Sequence, residues 1–110
     1  MPTTISFQQV QNALPGKWER DDNVLSMYIS EPVIAGEKNT IEFSVPVEKG
    51  PAISVWDFEI MTVGENQWMH LTNRSTQDCQ AYRIDAIEKN KALRLHAKEG
   101  YEISFHPKRV

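Results

Sequence analysis

Val55-Trp56-Asp57-Phe58-Glu59-Ile60-Met61-Thr62-Val63-Gly64-Glu65-Asn66-Gln67-Trp68-Met69-His70-Leu71 decides the architecture of this chain. Apolar and polar side chains alternate on both sides of Gly64-Glu65, the period expected of strands with one face buried. Glycine at the first central position suits a two-residue type II′ turn, whose twist matches that of the flanking strands. A hairpin closed there sets Phe58 opposite Leu71 and Ile60 opposite Met69. A slip by one residue would turn every apolar side chain to the wrong face.

The same argument extends in both directions. Upstream, residues 40–47 and 52–63 flank Glu48-Lys49-Gly50-Pro51. A two-residue loop at Lys49-Gly50 pairs Ile41 with Phe58, Phe43 with Trp56 and Val47 with Ala52. Downstream, the loop between residues 73 and 80 keeps the apolar face continuous if Leu71 opposes Tyr82. A turn at Lys89-Asn90 sets Tyr82 against Ala97, Ile84 against Leu95 and Ala86 against Leu93. A three-residue loop at Lys98-Glu99-Gly100 sets Leu95 against Ile103, Leu93 against Phe105 and Ala97 against Tyr101. Six consecutive strands then share one apolar face, and short connections make them a meander.

Residues 17–21 and 23–31 supply one or two further strands, about eight in all, a number at which a twisted sheet tends to close into a barrel. An open sheet covered by an N-terminal helix is the alternative. That helix is expected over residues 4–14, with Thr4 or Ser6 as N-cap, Ile5, Val10 and Leu14 on one face, and Pro15-Gly16 as the stop. The reading is mainly β: one domain over 1–110, an antiparallel up-and-down meander with a short helix, and a barrel over about 17–107.

Composition narrows the function. The 110 residues carry a formal charge of −3 with acids and bases interspersed, so no basic stripe is present to neutralise phosphates and nucleic acid is not an expected partner. No apolar run approaches the ~18 residues of a membrane span, so no membrane partner is expected. The start, Met1-Pro2-Thr3-Thr4-Ile5, lacks the charged and hydrophobic regions of a secretory signal, although a chain beginning after a removed signal would look the same. Cys79 is the only cysteine, which excludes an intrachain disulfide and agrees with a reducing cytoplasm. Its neighbours Asp78 and Gln80 offer neither a base nor a positive charge to activate the thiol.

On the outward face the registers lay out two rows. One runs Glu59, His70, Arg83, His96, Glu102; the other runs Trp68, Asp85, Arg94, Ser104. Their alternating charges read as solvated surface. Glu42, Asp57, Glu59 and His70 form a sharper constellation, because Glu42 and Asp57 are expected opposite one another and like charges there are unfavourable. Such a set is able to hold a divalent cation or act as an acid/base pair. Arg83 beside His70 would oppose a cation. His70, His96 and His106, the last expected opposite Ala92, fall on different strands and make no zinc set. No nucleophile elbow, phosphate loop or dinucleotide fingerprint is present, and no catalytic residue, metal or cofactor is assigned. Met61 and Trp68 are expected opposite each other on this face, a contact patch for a partner or a second copy in a homodimer.

Leu14-Pro15-Gly16-Lys17-Trp18, a short helix followed by G-x-W at the first strand, resembles the lipocalin and wider calycin pattern. Thr76 with Asp78-Cys79-Gln80-Ala81-Tyr82 is similar to the family's T-D-Y-x-x-Y element, with one extra residue after Thr76 and Cys79 in place of the first tyrosine. Trp18 also reads simply as a core aromatic after a helix stop. The short length and lack of a disulfide are more similar to compact bacterial lipocalin-like domains. The resemblance implies a barrel whose end is closed by Trp18 and whose mouth takes a small hydrophobic ligand, without chemistry. On that reading Phe43, Trp56, Phe58, Met69, Tyr82, Tyr101 and Phe105 supply apolar contact. Ser54, Thr62, Gln67 and Asn73 lie on the same face, with Gln67 or Asn73 orienting the ligand. The competing readings are an assembly module with a filled core, using Met61 and Trp68, and a site at Glu42, Asp57, Glu59 and His70.

Overall fold

The computed structural model describes residues 4–31, 33–34 and 36–108; Met1-Pro2-Thr3, read above for a targeting signal, lies outside them. The chain order is α1 (Phe7–Ala13), β1 (Gly16–Arg20), β2 (Ser26–Ile29), β3 (Asn39–Val47), β4 (Gly50–Val63), β5 (Asn66–Asn73), β6 (Cys79–Glu88), β7 (Ala92–Ala97) and β8 (Glu102–Pro107). All eight strands are antiparallel to their sequence neighbours, and β8 pairs back to β1 to close the barrel.

The helix is shorter than residues 4–14. Ser6 is extended and caps it: its Oγ accepts from the Gln9 amide at 3.2 Å, and Gln9 Oε1 accepts from the Ser6 amide at 2.8 Å. This reciprocal capping box holds Ser6 out of the helix and with it Thr4 and Ile5. Val10, Ala13 and Leu14 are buried, so the apolar stripe of α1 stops one end of the barrel. Trp18 is buried beneath it, and its Nε1 donates to the Leu14 carbonyl at 2.8 Å.

Two hairpins follow the expected registers. Phe58 faces Leu71 and Ile60 faces Met69; Leu93 faces Phe105 and Leu95 faces Ile103. Gly64 has φ +62° while Glu65 has no positive φ, as a type II′ turn requires. The β3–β4 hairpin instead slides by two residues: Ile41 faces Trp56, Phe43 faces Ser54 and Val47 faces Gly50. The reason is Pro51. A loop at Lys49-Gly50 would make Glu48 and Pro51 the hydrogen-bonded closing pair, and proline has no N–H to give. With Glu48-Lys49 as the loop, Pro51 faces Pro46 in a pair that exchanges no hydrogen bonds.

Between β5 and β6 the slide is again two residues, placing Tyr82 opposite Met69 and Gln80 opposite Leu71. Asn73 causes it, because its Oδ1 accepts from the amides of Ser75 (2.8 Å) and Thr76 (3.0 Å) and tightens the loop. In β6–β7 Tyr82 faces Ala97 and Ile84 faces Leu95, but a β-bulge at Asp85 then sets Ile87, rather than Ala86, opposite Leu93. Each slide preserves parity, so the apolar face survives while the polar rows are reassembled. His70 now faces Ala81, and Arg83 faces Trp68 and His96.

The core runs through the barrel from Val10 and Leu14 under the helix to Met27, Ile41, Phe58, Met69, Leu71, Leu95 and Phe105. At the far end the β3–β4 hairpin outruns its neighbours. Pairing with β2 reaches only Ser44, and pairing with β5 only Trp56. The rest projects as a two-stranded ribbon, so the molecule measures 46 × 29 × 28 Å.

Candidate functional site

The end away from α1 is formed by the β1–β2, β5–β6 and β7–β8 loops and by the projecting ribbon. Two concavities lie there, one above the other. Inside the barrel, a void of about 40 Å³ is walled by apolar side chains including Met27, Phe43, Met69, Tyr82 and Phe105. That is room for about one water, and its walls offer almost no polar partner for one. Above it, a cleft of about 580 Å³ opens between the β1–β2 loop and the start of β8, over Gln80 and Tyr82. Leu25, Tyr82 and Ile103 line both spaces. They form the floor of the cleft and the roof of the void.

Tyr82 is half-buried, and its hydroxyl bonds the side-chain carbonyl of Gln80. Burial, reinforced by the neighbouring Tyr101, pushes its ionisation well above the ordinary tyrosine range. It therefore offers the cleft a neutral hydroxyl and an aromatic edge. Tyr101 stands 52% exposed at the rim. Across the cleft, Arg20 holds Asp22 at 2.8 Å, and Asp21 Oδ1 lies 2.9 Å from His106 Nδ1. Arg20, Asp21 and Asp22 are thus paired, whereas Glu102 stands exposed at the same rim, and polar side chains edge a floor formed by Leu25, Tyr82 and Ile103.

Four of the residues read as ligand contacts, Phe43, Met69, Tyr82 and Phe105, share the interior void. Trp56 packs edge-on to Phe43 with ring centroids 6.1 Å apart, and its Nε1 donates to Ser54 Oγ at 3.1 Å. Phe58 is buried in the core, and Tyr101 is at the rim. The two polar handles are elsewhere. Gln67, only 3% exposed, accepts from Thr62 Oγ1 at 2.9 Å near the helix end, and Asn73 is spent on its own loop. Leu25 and Ile103 were not singled out by sequence, although Ile103 lies on the apolar face.

The Glu42, Asp57, Glu59 and His70 set does not assemble. The two-residue slide puts Glu42 between Tyr28 and Val55, and Asp57 opposite Thr40, where Arg74 pairs with it at 2.9 Å. Only Glu59 and His70 remain neighbours. Met61 and Trp68 do face each other on the outside, with Met61 and Val63 43% and 55% exposed. Cys79 is exposed, its thiol directed at the Gln77 carbonyl at 3.7 Å. His106 lies between Glu19 and Asp21 at the β1–β8 seam. Among the described residues, no helix is long and apolar enough to cross a membrane. What the site offers chemically is shape, an apolar floor, one neutral phenol and a polar rim that includes Gln80, Glu102 and Ser104. No family model, curated protein or solved structure is matched by this chain, so the fold and its open mouth stand on the residues themselves.

Proposed function

We propose that this domain is a lipocalin-like binder that takes a small, mainly apolar molecule at its open end and performs no chemistry on it. The observation that carries the reading is the shared wall of Leu25, Tyr82 and Ile103 between the mouth cleft and the apolar void beneath. Leu25 sits on the loop joining β1 and β2, so a modest shift of that loop merges the two spaces into a pocket of ordinary ligand size. Trp18 closing the opposite end beneath α1 supports the lipocalin-like comparison. The exposed lone thiol suits the reducing cytoplasm, where compact bacterial domains of this kind would act.

The test is a titration with a neutral environment-sensitive dye such as N-phenyl-1-naphthylamine. Saturable binding is expected, strengthened by Leu25→Ala and lost in Ile103→Trp, which fills the mouth. Failure of the wild-type protein to bind, or indifference to Ile103→Trp, would remove the reading.

A second reading, an assembly module, draws on the nearly filled interior and the outward Met61, Val63 and Trp68. Sedimentation velocity separates it from the first: a dimer abolished by Trp68→Ser would favour assembly.

A further inference from the structure

On the outer face of β6, β7 and β8, three side chains of different elements converge. Asp85 comes from β6, His96 from β7 and Glu102 from β8, and His96 and Glu102 face each other directly. One donor atom of each lies within 4.8 Å of the others. His96 Nδ1 is 3.9 Å from Asp85 Oδ2, too far for a hydrogen bond. That Nδ1 is buried and has no hydrogen-bond partner among the described residues. A buried nitrogen with nothing to bond costs free energy unless something completes it.

The bulge explains how Asp85 reaches this place. In an unbroken ladder Asp85 would face Arg94, one row away from His96. The extra residue instead brings Ala86 opposite Arg94 and frees Asp85 to lean toward β7. Bulges commonly re-aim a side chain in this way. Arg83, which faces His96, then fixes the carboxylate, with Nε 2.6 Å from Oδ1, while its second contact, to Oδ2, is long at 3.4 Å. Its charge opposes a cation here as it would beside His70, but is largely offset by this ion pair, leaving Oδ2, His96 and Glu102 to a metal. Oδ2 is the oxygen turned to the imidazole. The other histidine flanked by two acids differs in this respect. His106 holds Glu19 and Asp21 on opposite sides of its ring, both nitrogens are engaged, and nothing converges.

We propose that Asp85, His96 and Glu102 bind a divalent first-row transition-metal ion, of the class represented by zinc. One imidazole nitrogen and two carboxylate oxygens favour such an ion over calcium or magnesium, which prefer all-oxygen shells. Metal–ligand bonds near ~2.0–2.1 Å need the donors to close by only a fraction of an ångström to an ångström or so from their present spacing. Glu102 is exposed, so water completes the coordination. The ion would tie together three strands beside the mouth and would use the neutral imidazole, with Nδ1 as the ligating atom. This inference does not depend on the ligand-binding proposal.

The experiment is calorimetric titration of the whole chain with Zn²⁺, repeated with Ca²⁺, together with histidine-resolved NMR of the wild-type protein. One equivalent of Zn²⁺ is expected to bind, with affinity falling more than about tenfold in His96→Gln and in Glu102→Gln. His70→Gln is expected to leave it unchanged. In the wild-type spectrum the His96 imidazole signals should move on metal addition while those of His70 stay, a readout that holds even if a variant fails to fold. Absence of Zn²⁺ binding, binding unaltered in both cluster variants, a response at His106 in place of His96, or Ca²⁺ binding as tight as Zn²⁺ would each overturn the proposal.

Discussion

His106 shows how one side chain links the ends of the fold. Its Nδ1 lies 2.9 Å from Asp21 and its Nε2 3.2 Å from Glu19, on a seam that joins β8 to β1. Two acceptors on one ring are satisfied together only when both nitrogens carry protons, so the arrangement favours imidazolium. Asp21 foremost, opposed by burial and then assisted by Glu19, accordingly raises its ionisation above the ordinary histidine value of 6.5. A raised native value means the stabilisation is complete below about 6.5 and lost as pH climbs through the native value. Lys91 lines the same hollow and Lys108 follows Pro107, so losing the imidazolium leaves other cations nearby and the effect stays modest. Urea midpoints measured from mildly acidic to mildly alkaline pH should fall in the wild-type protein and flatten in His106→Gln. An equal slope in both would show that the seam carries no such linkage. None of this was legible beforehand, because Glu19 and His106 meet only through closure of the barrel.

Single residues acted through the elements that hold them. The Gly64-Glu65 and Lys98-Glu99-Gly100 loops were readable because their backbone demands are local, and the registers of their hairpins followed. The β3–β4 register was misplaced by two residues because apolar matching outweighed the missing N–H of Pro51, which is a local and readable fact. The slide at Asn73 depends on a side chain bonding its own loop, and many asparagines do not. The bulge at Asp85 was not readable, and it separates an ordinary charged surface from the Asp85–His96–Glu102 group. In the projecting ribbon, the Pro46–Pro51 pair removes one outward-pointing N–H from each free edge. Beside exposed Val47 and Ile53, that discourages pairing with another chain. Replacing both prolines by threonine should change folding stability by no more than about 1 kcal/mol, yet cause concentration-dependent association visible by light scattering. A variant that stays monomeric at high concentration would show that the prolines do not guard the edges.

For the whole molecule, the apolar interior was legible from alternation alone, but its fill was not. Whether Phe43, Met69 and Phe105 enclose a pocket or meet across the axis depends on rotamers and shear, which no pattern of residue types specifies. Closure itself is unevenly secured. The β4–β5 ladder pairs eight residues on each strand, whereas β1 and β8 pair three, one of them Pro107. Two flanking bonds extend the seam, from the Asp21 amide to the Ser104 carbonyl and from the Lys108 amide to the Lys17 carbonyl, both at 3.0 Å. Short ladders open first. Hydrogen exchange should therefore find the amides of Asp21 and Lys108, which bond across this seam, exchanging well before those at the centre of β4 and β5. Equal protection would mean that the barrel opens only when it unfolds as a whole.

The antiparallel β1–β8 seam also limits how this architecture can vary. Every neighbour runs opposite to the last, so a ring of such strands closes only when their number is even. Gaining or losing one strand at either end would set two parallel strands at the seam, a pairing slightly less stable per residue at the place where this barrel already has its shortest ladder. Descendants of this sequence can therefore grow by whole hairpins or by lengthening an existing one. The ribbon formed by β3 and β4, extending past its neighbours, is growth of the second kind.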